Sequence, residues 1–318
     1  MMHAGVRRAL EERRFFKLIC GASYRNTDFI SQLARIFASA GAHVIDVGAR
    51  PELVAAVRRG LAAAETPIAG LPLIMVSVGI NQDVHFLRVE KDFARCEQHG
   101  YCANACPHEV FVGQEIRLEN CLGCDHCVVA CPEDALTLVP REPLSELQAL
   151  LGECFEAGAG AVEVHTGHGD RAELQQILQT LAPWREQIQL LAFSLGAHGQ
   201  SETELVTLAQ ELVTLAGPEI IVQADGQPIS GRKGKKSTLP CLELAQSLHR
   251  AEISAYIQVS GGTNNLTGQL ARELEIPIHG IGMGSFARKH LNLSPSDPLN
   301  SELYGAALER ARELVLSV

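Results

Sequence analysis

The chain has 318 residues, a formal charge of -10 and 46% apolar residues, enough to bury a sizeable core as one large α/β barrel or two ordinary domains. The acidic balance argues against nucleic acid as a partner, because phosphate binding needs a basic field. The start, MMHAGVRRALEERRFF, is charged and lacks a signal-like apolar region. No later stretch reaches the roughly 18 consecutive apolar residues of a membrane span, so a soluble cytoplasmic protein with no membrane partner is expected.

In chain order, short β-rich runs alternate with amphipathic stretches. The predicted strands are residues 15–21, 42–48, 71–79, 161–166, 188–195, 219–226, 255–262 and 276–282, each followed by a run with apolar residues three and four apart. Such alternation implies parallel pairing, and eight units fit a (β/α)8 TIM-like barrel; a doubly wound sheet is the weaker alternative. Gly41, Gly158 and Gly160 stand between helix and strand, where a glycine stop belongs. Between the third strand and a helix near 144–157 lies a segment of different composition. The expected division is 1–90 for the first part of the barrel, 91–142 for an insertion resembling a bacterial two-cluster ferredoxin, and 143–318 for the rest. The insertion would emerge at the C-terminal face, where barrel active sites are built.

Seven of the ten cysteines lie between Cys96 and Cys131. Cys121, Cys124, Cys127 and Cys131 follow C-x2-C-x2-C-x3-C-P, a spacing used by bacterial ferredoxins, in which the fourth cysteine ligates the other cluster. Cys106, Cys121, Cys124 and Cys127 then form a complete 4Fe-4S site, with zinc disfavoured by the spacing and the two Cys-Pro endings. The first motif has Cys96, Cys102 and Cys106 at positions one, three and four, with His99 at position two. The second centre therefore holds Cys96, Cys102 and Cys131 beside His99. It is either a 3Fe-4S cluster, the preferred reading, or a 4Fe-4S cluster with His99 as fourth ligand. Residues 91–140 hold eight acids against three bases. Cys20, Cys154 and Cys241 read as ordinary buried thiols.

The barrel strands offer a second candidate site. If apolar residues face the helices, then Asp46, Ser77, Glu163, His165, Ser194, Gln223, Asp225, Gln258 and Ser260 face inward. They either line a small-molecule site or satisfy one another. The runs containing Ser260, Gly261 and Gly262, and Gly280, Gly282 and Gly284, are similar to phosphate-holding loops of flavin-mononucleotide barrels such as dihydroorotate dehydrogenases. FMN is thus a candidate cofactor, although turn-forming glycine accounts for each run equally well. Arg232, Lys233, Lys235 and Lys236 form a basic loop that fails the P-loop register. Glu163, His165, His168 and Asp170 make a weak metal-site pattern.

With the cysteine segment and the elements D-V-G-A-R, V-H-T-G, Q-A-D-G-Q-P-I-S-G and V-S-G-G-T-N in view, the chain resembles the cyanobacterial light-dependent period protein family over most of its length. The resemblance implies an iron–sulfur protein that feeds redox state to circadian clock-input partners. Two functions follow: a redox-sensing, electron-transferring protein, or an iron–sulfur oxidoreductase, flavin-dependent or not, working at the barrel mouth.

Overall fold

The computed structural model describes residues 2–21, 24–65, 70–79, 86–113, 115–121, 123–141, 144–167, 169–196, 199–226, 234–295 and 299–318. The chain begins with α1 (Ala4–Glu11), β1 (Phe15–Ile19), α2 (Thr27–Ala40), β2 (Val44–Gly48), α3 (Pro51–Ala62) and β3 (Leu73–Gly79). It then passes through β4 (Leu87–Lys91), α4 (Tyr101–Ala105), β5 (Phe111–Val112), β6 (Glu115–Ile116), α5 (His126–Val129) and β7 (Leu136–Pro140). Alternation resumes with α6 (Leu144–Ala157), β8 (Ala161–His165), α7 (Arg171–Leu181), β9 (Leu190–Leu195), α8 (Glu202–Ala216), β10 (Ile221–Asp225) and α9 (Lys235–Arg250). The chain ends with β11 (Tyr256–Ser260), α10 (Thr267–Glu273), β12 (Gly280–Met283), α11 (Ser285–His290) and α12 (Ser301–Val315).

Eight of these strands close a parallel barrel in the order β1-β12-β11-β10-β9-β8-β3-β2, with helices between them, the TIM-like architecture expected from the alternation. The period of two sorts each strand. Phe16 and Leu18, Ile45 and Val47, and Val162 and Val164 face outward into one core with Phe29, Leu33 and Phe37 of α2. Burying each such side chain is worth roughly 1.5–3 kcal/mol. Inside, the N-terminal end is apolar: Phe15, Val44, Met75, Ala161, Ala192 and Ile221 pack on Val6, Ala9 and Leu10 of α1, which plugs the floor. Further along the strands the interior turns polar.

The last strand differs from its predicted span of 276–282. Ile276 and Ile278 are buried against the outer core, but β-pairing starts only at Gly280, where the backbone passes so close to β1 that a Cβ would lie 2.4 Å from the Phe15 carbonyl oxygen. Gly41 and Gly158 do stop helices in the left-handed region, at φ 96° and 113°. Gly160 does not. It lies in the lead-in to β8, its N–H donating to the Ile74 carbonyl at 3.0 Å.

Between β3 and β8, β4 and β7 pair antiparallel from Leu87↔Pro140 to Lys91↔Leu136, so the way in and the way out run side by side. Val89, Val110, Phe111, Cys121, Cys127 and Leu136 form a small apolar cluster separate from the barrel core. None of the helices among the described residues is long and apolar enough to cross a membrane.

Candidate metal centre

The two cysteine loops repeat one backbone pattern. Two and four residues after Cys96, Gln98 and Gly100 have φ of 59° and 77°; two and four residues after Cys121, Gly123 and Asp125 have φ of 70° and 61°. Each loop then enters a short helix at the next residue, Tyr101 of α4 or His126 of α5. This repeat aligns Cys102 with Cys127 and Cys106 with Cys131, and it sets His99 opposite Cys124. In the first left-handed turn Gln98 N–H donates to Cys96 Sγ at 3.4 Å, and from β4 Val89 N–H donates to Cys121 Sγ at 3.3 Å. Hydrogen bonds of this kind stabilise metal-bound thiolates.

The seven thiols divide between two cavities. Cys106, Cys121, Cys124 and Cys127 line one, with Val89, Val110 and Leu138 as apolar walls. Cys96, Cys102 and Cys131 line the other, together with His99, Glu97 and Glu133. None of the ten cysteines is in a disulfide. Burial first, then the charges of Cys121, Cys106 and Cys124, pushes the Cys127 thiol up to about 11. A cationic core bound there would reverse that penalty on Cys127. Cys96, by contrast, is lowered by the Gln98 hydrogen bond and then by Lys91. The donor chemistry of both cavities therefore fits iron–sulfur ligation, four thiolates in one and three in the other. The remaining thiols, Cys20, Cys154 and Cys241, are buried elsewhere and pushed up to about 12, chiefly by burial.

His99 faces the three-thiol cavity but is engaged by acids. Its Nε2 lies 3.5 Å from Glu97 Oε2 and its Nδ1 3.9 Å from Glu133 Oε1, while its ring rests 5.5 Å from that of Tyr101. Glu97 is two residues away and visible in the sequence; Glu133 is brought in by the fold.

The barrel mouth holds the other candidate residues. Glu163 is paired with Lys17 inside the barrel, the two side chains being 1% and 0% exposed. Gln223 Nε2 donates to Glu163 Oε1 at 2.8 Å and to Asp225 Oδ1 at 3.0 Å, Gln258 Nε2 donates to Gln223 Oε1, and Ser194 to Asp225. Ser77 donates to Asp46 Oδ1 at 2.6 Å, and His165 Nε2 lies 3.5 Å from Glu163. Lys17 was absent from the sequence-derived set, although Phe16 and Leu18 outward place it inward by the same rule. Burial alone would raise Glu163, but Lys17, His165 and the Gln223 hydrogen bond hold it below the ordinary carboxylate value. Asp225 is raised by burial and by the charge of Glu163.

Asp46 is pushed from 3.8 up to about 7, first by burial and then by Glu163. Between these values the folded chain keeps a proton that the unfolded chain releases, so this group's contribution to stability falls as pH rises through the window and is level above it. Asp46→Asn is expected to remove a slope of about 2–4 kcal/mol between pH 4 and 7, read from urea unfolding at a series of pH values. The Glu163 contribution runs the other way and is lost only as pH falls below about 4.5.

Close packing accounts for Gly261, Gly262 and Gly282 but not for Gly284. A Cβ on Gly262 (φ 82°) would meet the Ser237 carbonyl oxygen at 2.1 Å, and one on Gly261 (φ 68°) the Gly226 backbone nitrogen at 2.7 Å. Gly282 faces Gln258 and Lys17, whereas a Cβ on Gly284 would make only ordinary contacts with Ile19. Ser260 gives its carbonyl to Gly226 N–H at 3.0 Å. Gly262→Ala is expected to destabilise by about 2–4 kcal/mol from overpacking and left-handed strain, measurable as a lowered denaturation midpoint. Asp170 caps α7, accepting from Ala172 N–H and Glu173 N–H, which explains it without a metal. His168, Arg232 and Lys233 lie outside the described residues, as does the side chain of Lys235.

The lead-in to the cysteine segment touches the mouth. The Phe86 ring packs edge-on against His165 with centroids 5.0 Å apart and fills the space over Gly79. Arg141 donates its backbone N–H to the Phe86 carbonyl at 2.8 Å, and its guanidinium donates to the Cys121 carbonyl.

Comparison with known proteins agrees with both parts. The chain is 36% identical over 295 residues to Light dependent period A of Synechococcus elongatus, covering 89% of this chain and 82% of that protein. A stretch of 83 residues, 25% of this chain, is 35% identical to 44% of the Electron transport protein HydN of Escherichia coli. The YdjI aldolase of E. coli superposes with a TM-score of 0.52 at 9% identity, covering 99% of this chain and 94% of that one, a likeness of fold alone. The family described as the Light dependent period A C-terminal domain matches residues 154–316. With a relative at 36% identity over nearly its whole length, the chain belongs to the light dependent period A family.

Proposed function

We propose that the protein is an iron–sulfur redox protein with two unequal centres, relaying cellular redox state to circadian clock-input partners. Residues 91–142 form the ferredoxin-like segment in this reading, and 1–90 with 143–318 the barrel that carries it. Cys106, Cys121, Cys124 and Cys127 hold a 4Fe-4S cluster; Cys96, Cys102 and Cys131 hold a 3Fe-4S cluster. Such clusters supply reversible one-electron chemistry.

The observation that carries the reading is the division of seven thiols into sets of four and three on a repeated backbone, with His99 where the fourth thiol of the smaller set would stand. The apolar walls at Val89, Val110 and Leu138 limit water at the larger set. The smaller set is lined by Lys91, Glu97 and Glu133 and is the more polar. Surroundings this different hold two centres at different potentials, as a sensor that responds over a range of redox states requires. With the Glu97 and Glu133 carboxylates 3.5 and 3.9 Å from its ring nitrogens, His99 has acids as neighbours as well as thiols, which supports the three-thiolate assignment. The flavin-dependent alternative needs the polar barrel interior and the glycine runs to be open to a ligand, whereas the interior side chains bond one another and Gly261, Gly262 and Gly282 pack closely against the chain.

The test is an iron and sulfide count with electron paramagnetic resonance on anaerobically purified, oxidised protein. About seven irons per chain and a 3Fe-4S signal are expected. A count near eight with a diamagnetic oxidised state would overturn the assignment of the smaller centre, and zinc in place of iron would overturn the redox reading altogether.

A further inference from the structure

Four of the eight large apolar side chains exposed on the described surface lie in the cysteine segment: Phe93, Tyr101, Val112 and Val129, with Phe93 71% and Val129 80% exposed. Two of them are tied to the three-thiol cavity: Tyr101 lines it, and Phe93 packs under Lys91, another lining residue, with the ammonium 5.4 Å from the ring centroid. Val129 is exposed two residues along the chain from the lining Cys131. Solitary exposed apolar residues are ordinary, but a group concentrated around one cavity marks a contact surface. The same segment holds eight acids against three bases, and Asp92, Glu97 and Asp134 beside the cavity are exposed.

An apolar centre within an acidic rim, over the more solvent-accessible thiols, has the form of a transient docking face. Its rim steers an oppositely charged partner and its centre excludes water on contact. We infer that this face, around Phe93, Tyr101 and Val129, docks a basic one-electron carrier protein that exchanges electrons with the three-cysteine centre. The inference rests on the iron–sulfur reading above. In the exchange one electron passes between the reduced centre and the oxidised carrier, with no bond made or broken and no proton moved. A second copy of the chain is a poor occupant, since the acidic face would meet a molecule of charge -10.

The probe is a cytochrome c whose haem edge is ringed by lysines, used in two forms. With redox-inert zinc porphyrin in place of haem it reports binding alone; with ferric haem it reports electron transfer from dithionite-reduced protein. Binding is expected to weaken about tenfold between 20 and 200 mM salt, and an acidic cytochrome c should bind at least about tenfold more weakly. Phe93→Ser with Val129→Ser, both at exposed positions, should lower affinity severalfold. So should Asp92→Asn with Asp134→Asn, because asparagine keeps the turn at Asp92 and the left-handed backbone at Asp134 while removing charge. Glu156→Lys with Glu186→Lys, exposed on the barrel, should leave affinity within twofold. Equal binding of acidic and basic cytochromes, insensitivity to salt, patch variants no weaker than the barrel control, or low-salt self-association abolished by the patch variants would each overturn the inference. An iron count separates the two readings: a chain without iron that still binds the zinc protein at this face defeats the cluster assignment and leaves the docking face standing.

Discussion

Lys17→Met is expected to destabilise the protein by about 3–5 kcal/mol, the cost of leaving a buried carboxylate without its counter-ion. Lys17 and Glu163 are almost wholly inaccessible, and among the described residues Gln223 and His165 are what remains near Glu163 in compensation. The loss should be largely a property of the orphaned charge. Lys17→Met combined with Glu163→Gln retains the Gln223 contact through the new amide and should recover more than half of it, a non-additivity measurable by guanidinium unfolding of both single variants and the double. Strict additivity would show that Lys17 contributes through packing of its stem and not through its charge. The barrel therefore keeps an ion pair that a well-packed apolar layer could replace, and the pair positions the acids of the mouth on which His165 and, through it, Phe86 rest.

The barrel was legible because parallel strands buried on both faces read as short β-branched runs, and all eight predicted spans overlap paired strands, the eighth at residues 280–282 alone. The eighth slipped because Ile276-Pro277-Ile278 has strand composition but serves the outer core, leaving pairing to Gly280, whose lack of a side chain hides it from any β-propensity. Inward alternation located Asp46, Glu163, Gln223 and Asp225 but passed over Lys17, since a lysine between Phe16 and Leu18 invites a surface reading that only a carboxylate on another strand corrects. At the cysteines, spacing conveyed the grouping of the thiols between the two cavities, including the crossing of Cys106 and Cys131 from one motif to the other's cavity. The repeated turns were half hidden: Gly100 and Gly123 announce left-handed backbone, whereas their counterparts Asp125 and Gln98 do not. Glu133 facing His99 joins residues 34 positions apart, a contact that no local pattern encodes.

Because Cys124 and His99 occupy matching positions on a matching backbone, exchanging their side chains should exchange the properties of the two centres. Cys124→His is expected to turn the complete centre into a second incomplete one, lowering iron from about seven to about six per chain and roughly doubling the 3Fe-4S resonance of the oxidised protein. His99→Cys should do the reverse, raising iron to about eight and abolishing that resonance. In both variants the left-handed turns are unchanged, because the altered residue lies between Gln98 and Gly100 or between Gly123 and Asp125 and carries neither positive φ. The two substitutions differ in surroundings. Cys124 shares its cavity with apolar Val89, Val110 and Leu138 and with the carboxylate of Asp125, so a histidine there meets fewer acids than the two that flank His99, and iron ligation by the new imidazole becomes the competing outcome. That outcome is informative in its own right: about seven irons and an unchanged 3Fe-4S signal in Cys124→His would show that the acids around His99, and not the imidazole itself, keep the native smaller centre at three irons. Glu97→Gln with Glu133→Gln in the native chain then separates the cases. If the acids are responsible, iron rises towards eight; if the three-thiolate set is sufficient, the count and the resonance stay as they are.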